Sequence, residues 1–97
     1  MSQFYVTPRA ARDLGSVAVW TLNNWGVARM ESYLLRLDVR FRWLAAHPGA
    51  GRNRDTVSQG YRSFPEGQHV VFYLIQTDSI AIIAIPHQSM DIDSFFA

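Results

Sequence analysis

The runs Tyr61-Arg62-Ser63-Phe64 and His69-Val70-Val71-Phe72-Tyr73-Leu74-Ile75 flank Pro65-Glu66-Gly67-Gln68, and this arrangement constrains the fold more than any other part of the chain. β-Branched and aromatic residues dominate both runs, and the proline and glycine between them suit a turn, so the segment predicts a pair of antiparallel strands. A further run, Ile80 to Ile85, follows Gln76-Thr77-Asp78-Ser79 and is apolar on both faces. That pattern predicts a central strand covered on at least one side by helices.

The helices that could supply this cover lie upstream. Phe4-Tyr5-Val6 reads as a short strand, and Thr7-Pro8 as an N-cap followed by proline at the first helical position. Leu14, Ala18, Leu22 and Trp25 then recur at helical spacing and leave Arg9, Arg12, Asp13 and Asn23 for water. Asn23-Asn24-Trp25-Gly26 breaks the pattern. A second one runs through Met30, Leu34, Leu37, Phe41 and Leu44 and stops at His47-Pro48-Gly49, so two helices should form a hairpin. Gly49 to Gly60 carries Arg52, Arg54 and Asp55 and reads as a surface loop with room for one helical turn. His87 to Asp91 leads into Asp93-Ser94-Phe95-Phe96-Ala97, a tail apolar only at its tip, able to pack on the domain or to await a partner. The expected fold is α+β: an N-terminal strand, then a two-helix hairpin packed on a mainly antiparallel sheet that three C-terminal strands complete. A chain of 97 residues fits one domain spanning positions 1–97 and leaves no room for a second core.

Composition narrows the class. With 48% hydrophobic and 18% charged residues the chain should form a packed globule rather than a disordered segment. The absence of cysteine excludes disulfides, thiolate metal sites and a thiol nucleophile, and suits a reducing cytosol. Met1-Ser2-Gln3-Phe4-Tyr5 has no basic region ahead of an apolar one, and no apolar run approaches the ~20 residues of a membrane span, so a cytoplasmic location without membrane contact is expected. A net charge of +1 gives no electrostatic reason to expect specific nucleic-acid binding. All nine basic residues are arginine, whose planar fork pairs with carboxylate or phosphate. A GC-rich genome would produce the same bias.

Most catalytic constellations are incomplete. The histidines His47, His69 and His87 show neither HxH nor HExxH spacing, so no metal or other cofactor is expected. Ser63, His69 and Asp91 lack a nucleophile elbow, and Gly49-Ala50-Gly51-Arg52 lacks the length and lysine of a phosphate loop. Metal-free RNA cleavage would draw on Arg52, Arg54, Arg62, His69 and His87. Arginine supplies charge but moves protons poorly, so the two histidines would carry proton transfer. Trp20, Trp25, Tyr33, Phe41 and Trp43 could stack on bases or simply pack the helices. Arg29, Arg36 and Arg40 could form a stripe that receives an acidic partner, or a solvated face paired with Glu31 and Asp38.

Four segments together carry a family resemblance: His47-Pro48-Gly49-Ala50-Gly51, Gly60-Tyr61-Arg62, Gly67-Gln68-His69-Val70-Val71-Phe72-Tyr73 and His87-Gln88-Ser89-Met90-Asp91. Their order and spacing resemble the ParE branch of the RelE/ParE toxins, and Ala10-Ala11-Arg12-Asp13-Leu14 and Trp25-Gly26 extend the resemblance over almost the whole chain. It implies the toxin of a type II toxin-antitoxin pair, in a hetero-oligomer with a ParD-like antitoxin that folds over its surface. Arg29, Tyr33, Arg36 and Arg40 are then candidates for the antitoxin contact. ParE relatives act on DNA gyrase without catalysis, so Arg52, Arg54, Arg62, His87, Met90, Phe95 and Phe96 become candidates for the target contact. RelE relatives cut messenger RNA on the ribosome, for which Arg62, His69 and His87 would serve here. The resemblance to nucleases is incomplete, because this chain has no lysine and carries neither Arg nor Tyr from His87 to Asp91. A third possibility is a toxin fold that binds antitoxin but poisons nothing. Ala84 and Pro86 motivate it, standing where ParE chains usually carry arginine and leucine. A proline there would be tolerated at a strand end or edge.

Overall fold

A computed structural model describes residues 3–97, so Met1 and Ser2, the start of the stretch read for a leader, lie outside it. Strand β1 (Gln3–Val6) leads into helices α1 (Pro8–Trp25) and α2 (Val27–Ala46), and a 3-10 turn at Pro48–Ala50 precedes strand β2 (Arg52–Asn53). Strands β3 (Tyr61–Glu66), β4 (His69–Gln76) and β5 (Ser79–Ala84) follow, and a short helix α3 (Ile92–Phe96) ends the chain. The sheet order is β1-β5-β4-β3-β2, antiparallel except for the parallel β1–β5 pair. This is the expected α+β arrangement with a two-residue edge strand added inside the Gly49–Gly60 stretch. β5 is interior, between β1 and β4.

Thr7 makes the first connection rigid. Its hydroxyl accepts from the Ala10 N–H at 3.2 Å, capping α1 ahead of Pro8, and donates to the Ile82 carbonyl at 2.9 Å. One residue joins the two helices. Gly26 has φ of 89°, a backbone region that side chains disfavour, and its N–H donates to Leu22 while its carbonyl accepts from Met30. α1 therefore runs through Asn23, Asn24 and Trp25, where the sequence pattern predicted a break.

The α2 pattern is realised as read, with Leu37, Phe41 and Leu44 buried. On α1 the buried stripe is instead Ala10, Val17 and Thr21, with Leu14 partly buried, and Leu22 and Trp25 are exposed. The last turns of α1 lie beside the β3–β4 turn, where little core is available to cover them. Asp13, assigned to water from the sequence, accepts the Ile85 N–H at 2.8 Å and so satisfies a donor just past the end of β5. The core joins these helical residues to Val71, Tyr73, Ile80, Ile82 and Ile85.

The β3–β4 turn is tighter than the sequence suggested. Pro65 and Glu66 belong to β3, paired with Val70 and His69, which leaves only Gly67 and Gln68 in the loop. Proline is accommodated because Val70 turns its N–H the other way, to the Pro86 carbonyl at 2.9 Å, so position 65 needs no donor. Pro86 lies past the end of β5, where it too forfeits no ladder bond, and its ring is fully buried. No described helix is long and apolar enough to cross a membrane.

Candidate functional site

Two tyrosines tie loops to the scaffold and decide which side chains can meet. Tyr73, fully buried in β4, donates its hydroxyl to the Pro48 carbonyl at 2.7 Å and accepts from the Gly51 N–H at 2.8 Å. Burial raises its pKa above the ordinary tyrosine value, so it stays a hydroxyl. Arg62, facing the same loop, donates to the Gly51 carbonyl at 2.8 Å.

Tyr33 does the same for the β3–β4 turn. Its oxygen lies 3.0 Å from the Glu66 carbonyl, 2.7 Å from His69 Nδ1 and 3.1 Å from the Gln68 N–H, and Gly67 packs beneath its ring. Beside it, Glu66 accepts from Arg36 at 2.7 Å and from Arg40 at 2.8 Å. Burial pushes the Glu66 carboxyl up, but the two guanidinium hydrogen bonds outweigh it and hold its pKa below the usual range. The sequence offered Glu31 and Asp38 as partners for this stripe. Instead Asp38 pairs with Arg42, and the acid that receives Arg36 and Arg40 comes from the sheet.

The neighbouring surface is aromatic. Trp20, Trp25, Arg29, Tyr33, Arg36 and His69 are among the residues around a cavity of about 260 Å³ between α1, α2 and the β3–β4 turn. Trp20 and Trp25 are 41% and 54% exposed, too open for the packing role considered for them, and the Arg29 guanidinium lies 5.3 Å from the Trp25 ring centre. Farther along α2, Leu35, Val39 and Trp43 line a shallow groove with Arg36, Arg40 and Glu66. The helical hairpin thus shows water a face that combines apolar residues with arginine.

The candidate nuclease residues do not converge. His69 and His87 are cross-strand neighbours with ring centres 5.3 Å apart. His69 is nearly buried, and desolvation, with His87 adding to it, lowers its pKa to about 4. Arg62, however, pairs with Tyr73, four strand positions from His69 and so about 13 Å along the sheet at ~3.3 Å per residue.

The candidate target contacts fall into separate groups as well. Arg54 donates to Ser63 Oγ at 2.9 Å and covers the Phe72 ring, on which Phe96 also packs, and Arg52 is exposed on the adjacent strand. Strand alternation turns Phe72 away from the core formed by Val71 and Tyr73. The tail therefore packs on the domain: Phe96 meets Phe72 and Tyr61, and Arg9 donates to the Phe95 carbonyl at 2.7 Å beneath both phenylalanine rings. His87, Met90 and Phe95 line a different groove, shared with Trp20. Among the described residues no group of three or more His, Asp or Glu is placed to hold a metal. Sequence reasoning did not single out Glu66, Arg9 or Asp13. Each acts through a partner more than 25 positions away, so none carried a local signal.

Comparison with known proteins agrees with this architecture. Residues 4–92 match the family model for the ParE toxin of the type II toxin-antitoxin system parDE. The chain is similar to toxin ParE1 of Caulobacter vibrioides, at 33% identity over 94% of each chain, and to toxin ParE1 of Mycobacterium tuberculosis, at 33% identity over 95% of each. A solved chromosomal ParDE system from P. aeruginosa shares the fold with a TM-score of 0.76 at 20% identity, covering 90% of this chain and 96% of that one. A RelBE2 toxin-antitoxin complex from Mycobacterium tuberculosis is more distant, with a TM-score of 0.58 at 20% identity and coverage of 89% and 96%. With the family model spanning nearly its full length, the chain belongs to the ParE toxin family of the RelE/ParE superfamily.

Proposed function

We propose that this protein is a toxin that inhibits DNA gyrase through protein contacts and is neutralised by a ParD-like antitoxin. The ParE relatives support the gyrase target by family membership. The observation that carries a binding mode over RNA cleavage is the distance between Arg62 and the histidine pair. The offset of four strand positions, with the guanidinium directed at the Gly51 carbonyl, sets Arg62 apart from a phosphodiester held near His69.

The antitoxin is assigned to the helical hairpin, where Arg29, Tyr33, Arg36 and Arg40 stand among exposed Trp25, Leu35 and Val39. A disordered segment that folds on binding would lay its apolar anchors there. The target contact is assigned to Arg52, Arg54 and Arg62 on one side and to His87, Met90, Phe95 and Phe96 on the other. Arg52 and Met90 are the most accessible of these. The test is negative supercoiling of relaxed plasmid by purified gyrase with and without the protein, at fixed salt, scoring cleaved DNA. Inhibition with accumulated cleavage is expected. Undisturbed gyrase together with growth arrest in cells would move the target to the ribosome, and undisturbed gyrase without arrest would leave a fold that binds antitoxin alone.

A further inference from the structure

The cavity between Trp20, Trp25, Tyr33 and the β3–β4 turn has a shape and charge of its own. At about 260 Å³ it is smaller than the roughly 300–1,000 Å³ of pockets that hold cofactor-sized molecules, and it is wide enough for one or two side chains. Its electrostatics are one-sided. Arg29 and Arg36 line the opening and no carboxylate does, because Glu66, which receives Arg36 and Arg40, lies in the neighbouring groove. Arg29 makes no ion pair among the described residues. It lies on Trp25, so its charge is held at the rim rather than free to swing into water. Arg36 gives Nη2 to Glu66, but its side chain remains 57% exposed and keeps donors for a second acceptor. Tyr33 is fully engaged by the turn, and His69 Nδ1 is engaged by Tyr33, so both act as walls.

We propose that this cavity is the reading pocket for one acidic side chain of the antitoxin. Its carboxylate is held between Arg29 and Arg36 while an apolar neighbour on the same segment rests on Trp20 and Trp25. The inference rests on the toxin-antitoxin reading and adds the chemistry of the contact. Of the three arginines on the stripe, two do the reading. Arg40 is excluded because its Nε is given to Glu66 and its guanidinium is covered by Trp43 and Phe64. An Asp or Glu is selected over Asn or Gln, because only a charged acceptor offsets the excess at the rim and takes two guanidinium donors.

A double-mutant cycle tests this with the intact chain and its ParD-like antitoxin, by calorimetry at physiological salt. Arg29→Gln should weaken binding about tenfold, the usual loss for a charge-assisted hydrogen bond, and Trp25→Ala should weaken it comparably. Arg29 is exposed and Trp25 more than half exposed, so circular dichroism should not change and the melting temperature should stay level for Arg29→Gln and fall only slightly for Trp25→Ala. Each Asp or Glu of the antitoxin is then neutralised to Asn or Gln. One of these changes should cost about as much as Arg29→Gln and add nothing when combined with it. Arg29→Gln and Trp25→Ala binding within twofold of wild type, or losses additive with every antitoxin acid, would overturn the pocket while leaving the pairing intact. A wild-type chain that does not bind the antitoxin would overturn the pairing itself, and the pocket with it.

Discussion

At the scale of single residues, His69 shows how burial sets chemistry. Its ring is held against Tyr33 with a pKa near 4, because desolvation penalises the imidazolium and His87 adds to the penalty. An unfolded chain takes up this proton near pH 6.5, whereas the folded one waits until about pH 4. Between those values the unfolded state binds more protons, so stability present above pH 6.5 is lost as the pH falls, by on the order of 3 kcal/mol. Urea midpoints at pH 7 and pH 4.5 check this. The wild type should lose more than His69→Gln does, since glutamine keeps a hydrogen-bonding group beside Tyr33 without the titration. Gly67 supplies a second prediction. Its φ is 57°, and a Cβ there would lie 2.5 Å from the Tyr33 ring. Gly67→Ala should lower stability by roughly 2 kcal/mol through backbone strain and displacement of that ring, measured by chemical denaturation.

Between elements, the join of α2 to the β3–β4 hairpin depends on polar groups as much as on packing. Glu66→Gln would leave Arg36 and Arg40 facing an amide that offers one acceptor and places two donors against them. A loss of about 2 kcal/mol is expected in a thermal or urea melt at neutral pH, below the cost of breaking a fully buried pair because Arg36 is largely in water. Much at this scale was legible in the sequence. The α2 stripe of Leu34, Leu37, Phe41 and Leu44 follows from spacing alone, and so do the paired strands and the Thr7-Pro8 helix start. The α1 stripe was misread because Leu22 and Trp25 keep helical spacing into turns that have little sheet beneath them, and periodicity does not record where a sheet ends. The Glu66 clamp was missed because its acid is drawn from a strand far away in sequence, beyond what i,i+4 pairing can reveal.

For the whole molecule, the site is a matter of which surfaces remain uncovered once the core is made. The core spends one face of each helix and one face of the sheet, leaving aromatic and arginine residues along α1 and α2 and a second sheet face that α3 partly covers. Family resemblance, rather than any local motif, is the reason for proposing partners for these surfaces, because surface chemistry of this kind has no fixed spacing. The C-terminal tail tests the division of labour. Phe96 closes over the buried Phe72, and Arg9 holds the Phe95 carbonyl, yet neither phenylalanine belongs to the core beneath α1 and α2. Deleting Phe95–Ala97 should expose Phe72 and lower the unfolding free energy by about 2–3 kcal/mol, the order expected for losing one large aromatic contact. The far-ultraviolet spectrum should change little, since one five-residue helix is lost. Binding of antitoxin at the helical hairpin should persist and gyrase inhibition should fall, because the deletion removes candidate target contacts while Arg29, Arg36 and Trp25 stay in place and only Trp20 and His69 border both grooves. Antitoxin affinity falling in step with inhibition would mean that the two surfaces are not separable.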